Sequence, residues 1–121
     1  MINEVFRNGA MTELYAAAEL IKRDWYVAFP FIEACAFDLV IFRGNTFRTI
    51  QVKSTASKNN GGFPRVHKNF EKYKDCDFII CYDVINRRWF IFTAAELIDR
   101  TSITLSPQRY PRNCDNWDLI R

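Results

Sequence analysis

Two runs of strand-forming residues, Phe37-Asp38-Leu39-Val40-Ile41-Phe42 and Phe47-Arg48-Thr49-Ile50-Gln51-Val52-Lys53, flank the four residues Arg43-Gly44-Asn45-Thr46. Gly44-Asn45 is expected to supply the positive φ angles of a tight hairpin turn. Side chains alternate faces along a strand, so Thr49, Gln51 and Lys53 share one face while Ile50 and Val52 take the other. An acid that opens one strand thus meets an amide and an amine two residues apart on its partner. Such a trio can converge on a cation and a phosphate.

The rest of the chain has to cover this hairpin. Residues from about Asn3 to Arg23 read as one helix, with an apolar stripe of Ala10, Met11, Leu14, Ala17, Ala18 and Ile21 expected to face the core. Glu13 falls on the flank of that stripe, an acid in apolar company; on periodicity alone a solvated glutamate reaching past short alanines stands slightly ahead of a functional role. Trp25 to Phe29 is a short aromatic strand ended by Pro30, and the loop after it carries a spare acid, Glu33. Ser54 to Pro64 is loop-forming in composition, and Val66 to Lys74 is expected to form a short second helix with Phe70 and Tyr73 in the core. Phe78 to Tyr82 is apolar on both faces, hence an interior strand. A turn over Asp83 to Arg88 returns it as Trp89 to Thr93. Thr93 and Glu96 fit a capping box for a helix over Ala94 to Asp99, which accounts for Glu96 structurally. Ile103 to Leu105 is an edge strand, followed by an irregular tail that Trp117 and Leu119 anchor.

With 121 residues, 49% of them hydrophobic, the chain is expected to be one domain over residues 1–121. No apolar run is long enough to span a bilayer and Met1-Ile2-Asn3-Glu4 lacks the regions of a signal peptide, so a cytoplasmic protein with no membrane partner is expected. Cys35, Cys76, Cys81 and Cys114 form no CxxC pair and read as reduced, mostly buried thiols. The net charge of +3 is too mild for a histone-like binder, but the basic residues cluster. From Lys53 to Lys74, six lysines and arginines are opposed only by Glu71. This stretch reads as either a solvated surface or a nucleic-acid contact, with Ser54, Lys58, Arg65, His67 and Lys68, and the turn residues Arg87 and Arg88, as the candidate DNA-binding groups. A single histidine, His67, counts against a histidine-pair metal site, and no Walker A or GxGxxG loop is present.

Glu13 in the first helix, Asp38 opening a strand, and Gln51-Val52-Lys53 on the next strand together resemble the PD-(D/E)XK nuclease superfamily. The resemblance runs from about Gly9 to Ser106. It is closest to small single-domain members that include bacterial intron-encoded homing endonucleases, and more distant to Holliday-junction resolvases. It implies an α/β fold with a restriction-endonuclease-like core, a mixed central β-sheet flanked by helices. It also implies a magnesium-dependent endonuclease acting on double-stranded DNA, with Mn²⁺ able to substitute. The implied catalytic residues are Glu13, Asp38, Gln51 and Lys53. The implied Mg²⁺ ligands are Asp38, Gln51, the backbone carbonyl of Val52, and Glu13 directly or through water. One site per chain implies a homo-oligomer, a dimer or tetramer, for cutting two strands.

Two positions depart from the family pattern. Phe37 stands where the motif has proline, and Gln51 stands where it has an acid. An amide offers a carbonyl oxygen without charge, so a weaker hold on Mg²⁺ is expected. The homing-enzyme branch is similar in carrying glutamine here while remaining a nuclease. A branched-DNA resolvase and a non-catalytic DNA-binding module on the same fold are the alternative readings.

Overall fold

The computed structural model describes residues 1–32, 35–56 and 62–121; Glu33 and Lys58 lie outside the described residues. The hairpin is the centre of a five-stranded sheet. Its strands are β1 (Tyr26–Ala28), β2 (Leu39–Arg43), β3 (Thr46–Thr55), β5 (Phe78–Asp83) and β6 (Arg88–Thr93), side by side in that order. All neighbours run antiparallel except β3 and β5, which are parallel and joined by a crossover over the sheet face. That crossover contains β4 (Arg65–His67), which pairs with β7 (Ser102–Thr104), and a 3₁₀ turn at Phe70–Tyr73. The expected helix over Val66 to Lys74 is therefore replaced. Val66 is buried opposite Ile103 in a two-stranded ribbon, and only Phe70–Tyr73 coils, started by Asn69 accepting the Glu71 N–H at 3.2 Å. Both aromatics are buried, as expected.

The hairpin turn has its glycine first, with φ of +61° at Gly44, whereas Asn45 keeps a negative φ, contrary to the expectation for both residues. That is the pattern of a type II′ turn, which matches strand twist while straining no side chain. The strand after it runs two residues past Lys53, so Ser54 and Thr55 belong to β3, set against Tyr82 and Asp83, and not to a loop.

Alternation along β5 sends Phe78 and Ile80 to one side of the sheet and Ile79 and Cys81 to the other. The first side is covered by helix α1 (Glu4–Lys22), the second by the crossover, the ribbon and the short helix α2 (Ala94–Leu97). The capping box at α2 forms as expected, with Thr93 and Glu96 each accepting from the other's backbone N–H. The tail is irregular but pinned. Asn113 and Asp115 exchange backbone and side-chain hydrogen bonds with Trp89 and Ile91, closing the free edge of β6. Trp117 is buried and Leu119 packs against the same core.

Helix α1 presents a different face from the one its apolar stripe predicts. The buried residues are Thr12, Ala16, Ala17 and Leu20, roughly a third of a turn round from the stripe. Of the stripe only Ala17 is buried, and Met11, Leu14 and Ile21 are exposed. Two small residues, Ala16 and Ala17, let the helix approach the sheet closely. Thr12 can be buried because its hydroxyl donates to the Asn8 carbonyl at 2.7 Å. Leu20 is fully buried, which contributes about 1.5–3 kcal/mol. The same rotation turns Glu13 inward.

Candidate active site

Three elements bring the predicted site residues together. Asp38 immediately precedes β2, and its N–H donates to the Ile50 carbonyl at 2.8 Å while its Oδ2 accepts the Val52 N–H at 2.9 Å. The carboxylate is thereby locked onto β3. Leu39 pairs with Ile50, so the register extended by one residue sets Asp38 beside Gln51, on the same face of the sheet. Because the N–H and C=O of a strand residue point the same way, the Val52 carbonyl also faces the Asp38 side. Gln51 is only 5% exposed. Glu13 reaches the same place from α1. With Asp38 it lines a cavity of about 320 Å³, walled otherwise by Phe29, Pro30, Ile32 and Phe37.

The electrostatics follow from this placement. Burial raises the Glu13 pKa, the nearby Asp38 carboxylate raises it further, and Lys53 opposes both. Burial also raises the Asp38 pKa, against the pull of the Val52 N–H and Lys53. Lys53 makes no ion pair within 4 Å among the described residues, so it is not the simple salt-bridge partner of Asp38. Its ammonium lies 4.7 Å from the centre of the Tyr73 ring, a cation–π contact that holds a charge without neutralising it. Tyr73 is the residue that sequence reasoning assigned only to the core. Its spacing from Phe70 marked it as buried, and nothing local signalled that Lys53 would sit over it.

The nearby thiols are not nucleophiles. Burial pushes Cys81 up to about 12 and Cys76 up to about 11, leaving both protonated at neutral pH. All four cysteines are free.

The donor set fits a hard divalent cation. Two carboxylates, an amide oxygen and a backbone carbonyl are the oxygen donors such a cation takes, and two acids that resist ionising together are relieved by a cation between them. Among the described residues no cluster of three or more His, Cys, Asp and Glu forms, because the third acidic place is held by Gln51.

This fit has a measurable consequence. Both carboxyls bind protons more readily folded than unfolded, so their stability contribution is full below the ordinary values of 3.8 and 4.5 and is lost as pH rises through the raised folded values. Without metal at pH 7, an E13Q/D38N double variant is therefore expected to melt higher than the wild type, with the gap closing on acidification. Magnesium at a hundredfold excess over its dissociation constant should stabilise the wild type by about 2.7 kcal/mol and leave the variant unmoved. Melting curves across pH, with and without Mg²⁺, check both; a wild type indifferent to Mg²⁺ and Mn²⁺ would remove this ligand set.

The basic residues divide. Arg65 and His67 point from β4, with Arg65 Nε donating to Thr104 Oγ1 at 3.2 Å, and His67 and Lys68 are exposed. Ser54 is half-buried on β3, one residue beyond Lys53. Arg65 is tied to the end of β3, where Thr55 Oγ1 donates to its carbonyl at 3.0 Å. Arg87 is exposed at the β5–β6 turn, at the same end of the sheet, since Thr55 pairs with Asp83 there. It lines a cavity of about 520 Å³ with Tyr15 and Trp89. Arg88 is engaged inside the protein, its guanidinium 3.8 Å from the fully buried Asp83 carboxylate. Among the described residues no helix is long and apolar enough to cross a membrane.

Comparison with known proteins bears on the family and the fold. Protein 5.3 of Escherichia phage T7 is 31% identical over 107 residues, covering 84% of this chain and 91% of that protein. The fold is similar to that of the bacterial homing endonuclease I-Ssp6803I, with a TM-score of 0.84 at 19% identity over 98% of this chain and 93% of the other. It is also similar to the Holliday junction resolvase Hjc of Archaeoglobus fulgidus, with a TM-score of 0.64 at 15% identity over 93% and 94%. The mixed sheet with α1 on one face is thus a restriction-endonuclease-like fold. The family model for PD-(D/E)XK endonucleases matches residues 5–109, and the chain belongs to that family.

Proposed function

We propose that this protein is a metal-dependent endonuclease that hydrolyses phosphodiester bonds in double-stranded DNA at specific sites, acting as a homo-oligomer. The observation that carries this reading is the convergence of Glu13 and Asp38 on one cavity beside an unpaired Lys53. Asp38, the Gln51 side-chain oxygen and the Val52 carbonyl would hold Mg²⁺, or Mn²⁺ in its place, with Glu13 joining directly or through water. When bound, the metal supplies a lowered pKa for water and positive charge beside the scissile phosphate. Asp38 is kept in one orientation by the Val52 N–H, so no rotamer search precedes binding. Gln51 adds an oxygen without adding charge, so the two acids carry the electrostatic attraction. Lys53 places its ammonium where negative charge grows on the phosphate oxygens during attack, and its lack of an ion-pair partner leaves it free for that contact. Exposed Arg87, His67 and Lys68, with Arg65, Ser54 and Lys58, are the proposed grips on the duplex.

The second reading, a branched-DNA resolvase, draws on the fold likeness to Hjc, and a non-catalytic module draws on Gln51. One experiment separates the three: incubate the protein with Mg²⁺ and a randomised duplex library alongside four-way junctions. Cleavage of a discrete set of linear sequences is expected. Preference for junctions favours the resolvase, and binding without cutting under either metal sinks the enzyme.

A further inference from the structure

The crossover on the Gln51 and Lys53 side of the sheet carries one buried ring that meets two cations. Tyr73 ends the 3₁₀ turn and is 7% exposed. Its ring centre lies 4.7 Å from the Lys53 ammonium and 5.1 Å from the Lys72 ammonium. Both distances fall within the roughly 6 Å of an effective cation–π contact. Since both reach the same ring centre, the two ammoniums lie within about 10 Å of each other. Neither makes an ion pair among the described residues.

The turn that carries the ring is fixed to the strands that carry the site. The Cys76 thiol donates to the Ala36 carbonyl at 3.0 Å, two residues before Asp38. The Asp77 carboxylate accepts the Thr49 N–H at 2.8 Å, and the Asp77 N–H donates to the Thr49 carbonyl at 3.0 Å, on the strand of Gln51 and Lys53. The ring thus keeps its place, and the flexible four-carbon stem of Lys53 is steadied against it.

We propose that Tyr73 is a positioning residue whose ring holds Lys53 at the scissile phosphate and Lys72 at a neighbouring phosphate of the same strand. The proposal deepens the nuclease reading and rests on it. A ring face attracts an ammonium without cancelling its charge, so both lysines keep their attraction for an anion. Two like charges this close repel each other, and a phosphate beside each relieves that repulsion. Phosphates repeat along one strand with a rise of about 3.4 Å, so the span between the ammoniums reaches only the first few beyond the scissile bond. The two lysines differ in what else they face. Lys53 is half-buried and its charge acts on Glu13 and Asp38, which sets it at the reacting phosphate. Lys72 is exposed, which leaves it to the strand that runs past.

Single-turnover cleavage and metal-free duplex titrations test it. Tyr73→Leu should cleave about threefold to thirtyfold more slowly, the range that a lost cation–π contact supplies. Tyr73→Phe keeps the ring and should restore that loss. In a Lys53→Ala background Tyr73→Leu should cost nothing further, because the ring acts through Lys53; a loss of packing alone would slow both backgrounds alike. Lys72→Gln should reduce the slope of log affinity against log salt by about 0.9, the value of one phosphate contact. Ring currents give a readout that needs no change at Tyr73. In the proton NMR spectrum the methylene protons next to both ammoniums should lie upfield of those of the exposed Lys68, with Lys53→Ala and Lys72→Gln assigning them. A Tyr73→Phe protein as slow as Tyr73→Leu, an equal Tyr73→Leu loss in the Lys53→Ala background, an unchanged salt slope, or unshifted methylenes would each overturn the inference. The titrations and spectra need no cleavage. A protein that meets them and never cuts overturns the nuclease reading and leaves the two-cation grip; one that cuts with an unchanged salt slope overturns the grip alone.

Discussion

Lys53→Ala is expected to slow cleavage by about a hundredfold to a thousandfold while leaving duplex affinity nearly unchanged. The ammonium has no ion-pair partner among the described residues and is held over Tyr73, so its removal disturbs little packing. What disappears is the positive charge that opposes the raised pKa values of Glu13 and Asp38, and that is proposed to face the phosphate. Both acids should then hold protons to still higher pH, and the Mg²⁺ concentration needed for half-maximal rate should rise. Lys53→Arg keeps the charge but replaces a compact ammonium with a planar fork, so it is expected to recover little of the rate. Single-turnover cleavage at saturating Mg²⁺, with anisotropy titrations in the absence of metal, distinguishes these effects. A Lys53→Ala protein that cuts within threefold of the wild-type rate contradicts the assigned role.

Asp83→Ala should cost about 3–5 kcal/mol of folding stability, read as a lower urea midpoint at unchanged slope. Asp83 is fully buried at the end of β5. Its Oδ1 accepts the N–H groups of Ile85 and Asn86 at 3.0 Å each, and its Oδ2 accepts the Asn86 side-chain amide at 2.8 Å. Arg88 completes the cluster at 3.8 Å, with its Nε buried and lacking a hydrogen-bond partner. Truncating Asp83 leaves those donors and the guanidinium unpaired at once. Asp83→Asn keeps most acceptors and should lose less. Arg88→Met should lower stability more than it lowers duplex affinity, because the side chain is spent inside the protein; the reverse order would return Arg88 to the DNA surface.

Some of this was legible in the amino-acid order because it is local. The hairpin follows from strand propensity and a glycine at its turn. The capping box follows from Thr93 and Glu96, and the interior strand from Phe78 to Tyr82 being apolar throughout. The predicted second helix failed because Val66 gains more by burial against Ile103, a residue 37 positions away, than from local coiling. The alternation in β3 likewise gathers Gln51 and Lys53 without any tertiary information.

The sequence by itself therefore determined the strands, the turn and the spacing of Asp38, Gln51 and Lys53, since each depends on neighbours a few residues apart. Only the tertiary structure decided which side of α1 meets the sheet. Periodicity points to the side with Met11, Leu14 and Ile21, whereas close packing chooses the side with Ala16, Ala17 and a self-satisfied Thr12. That choice turned Glu13 toward Asp38 and left Met11, Leu14 and Ile21 facing outward.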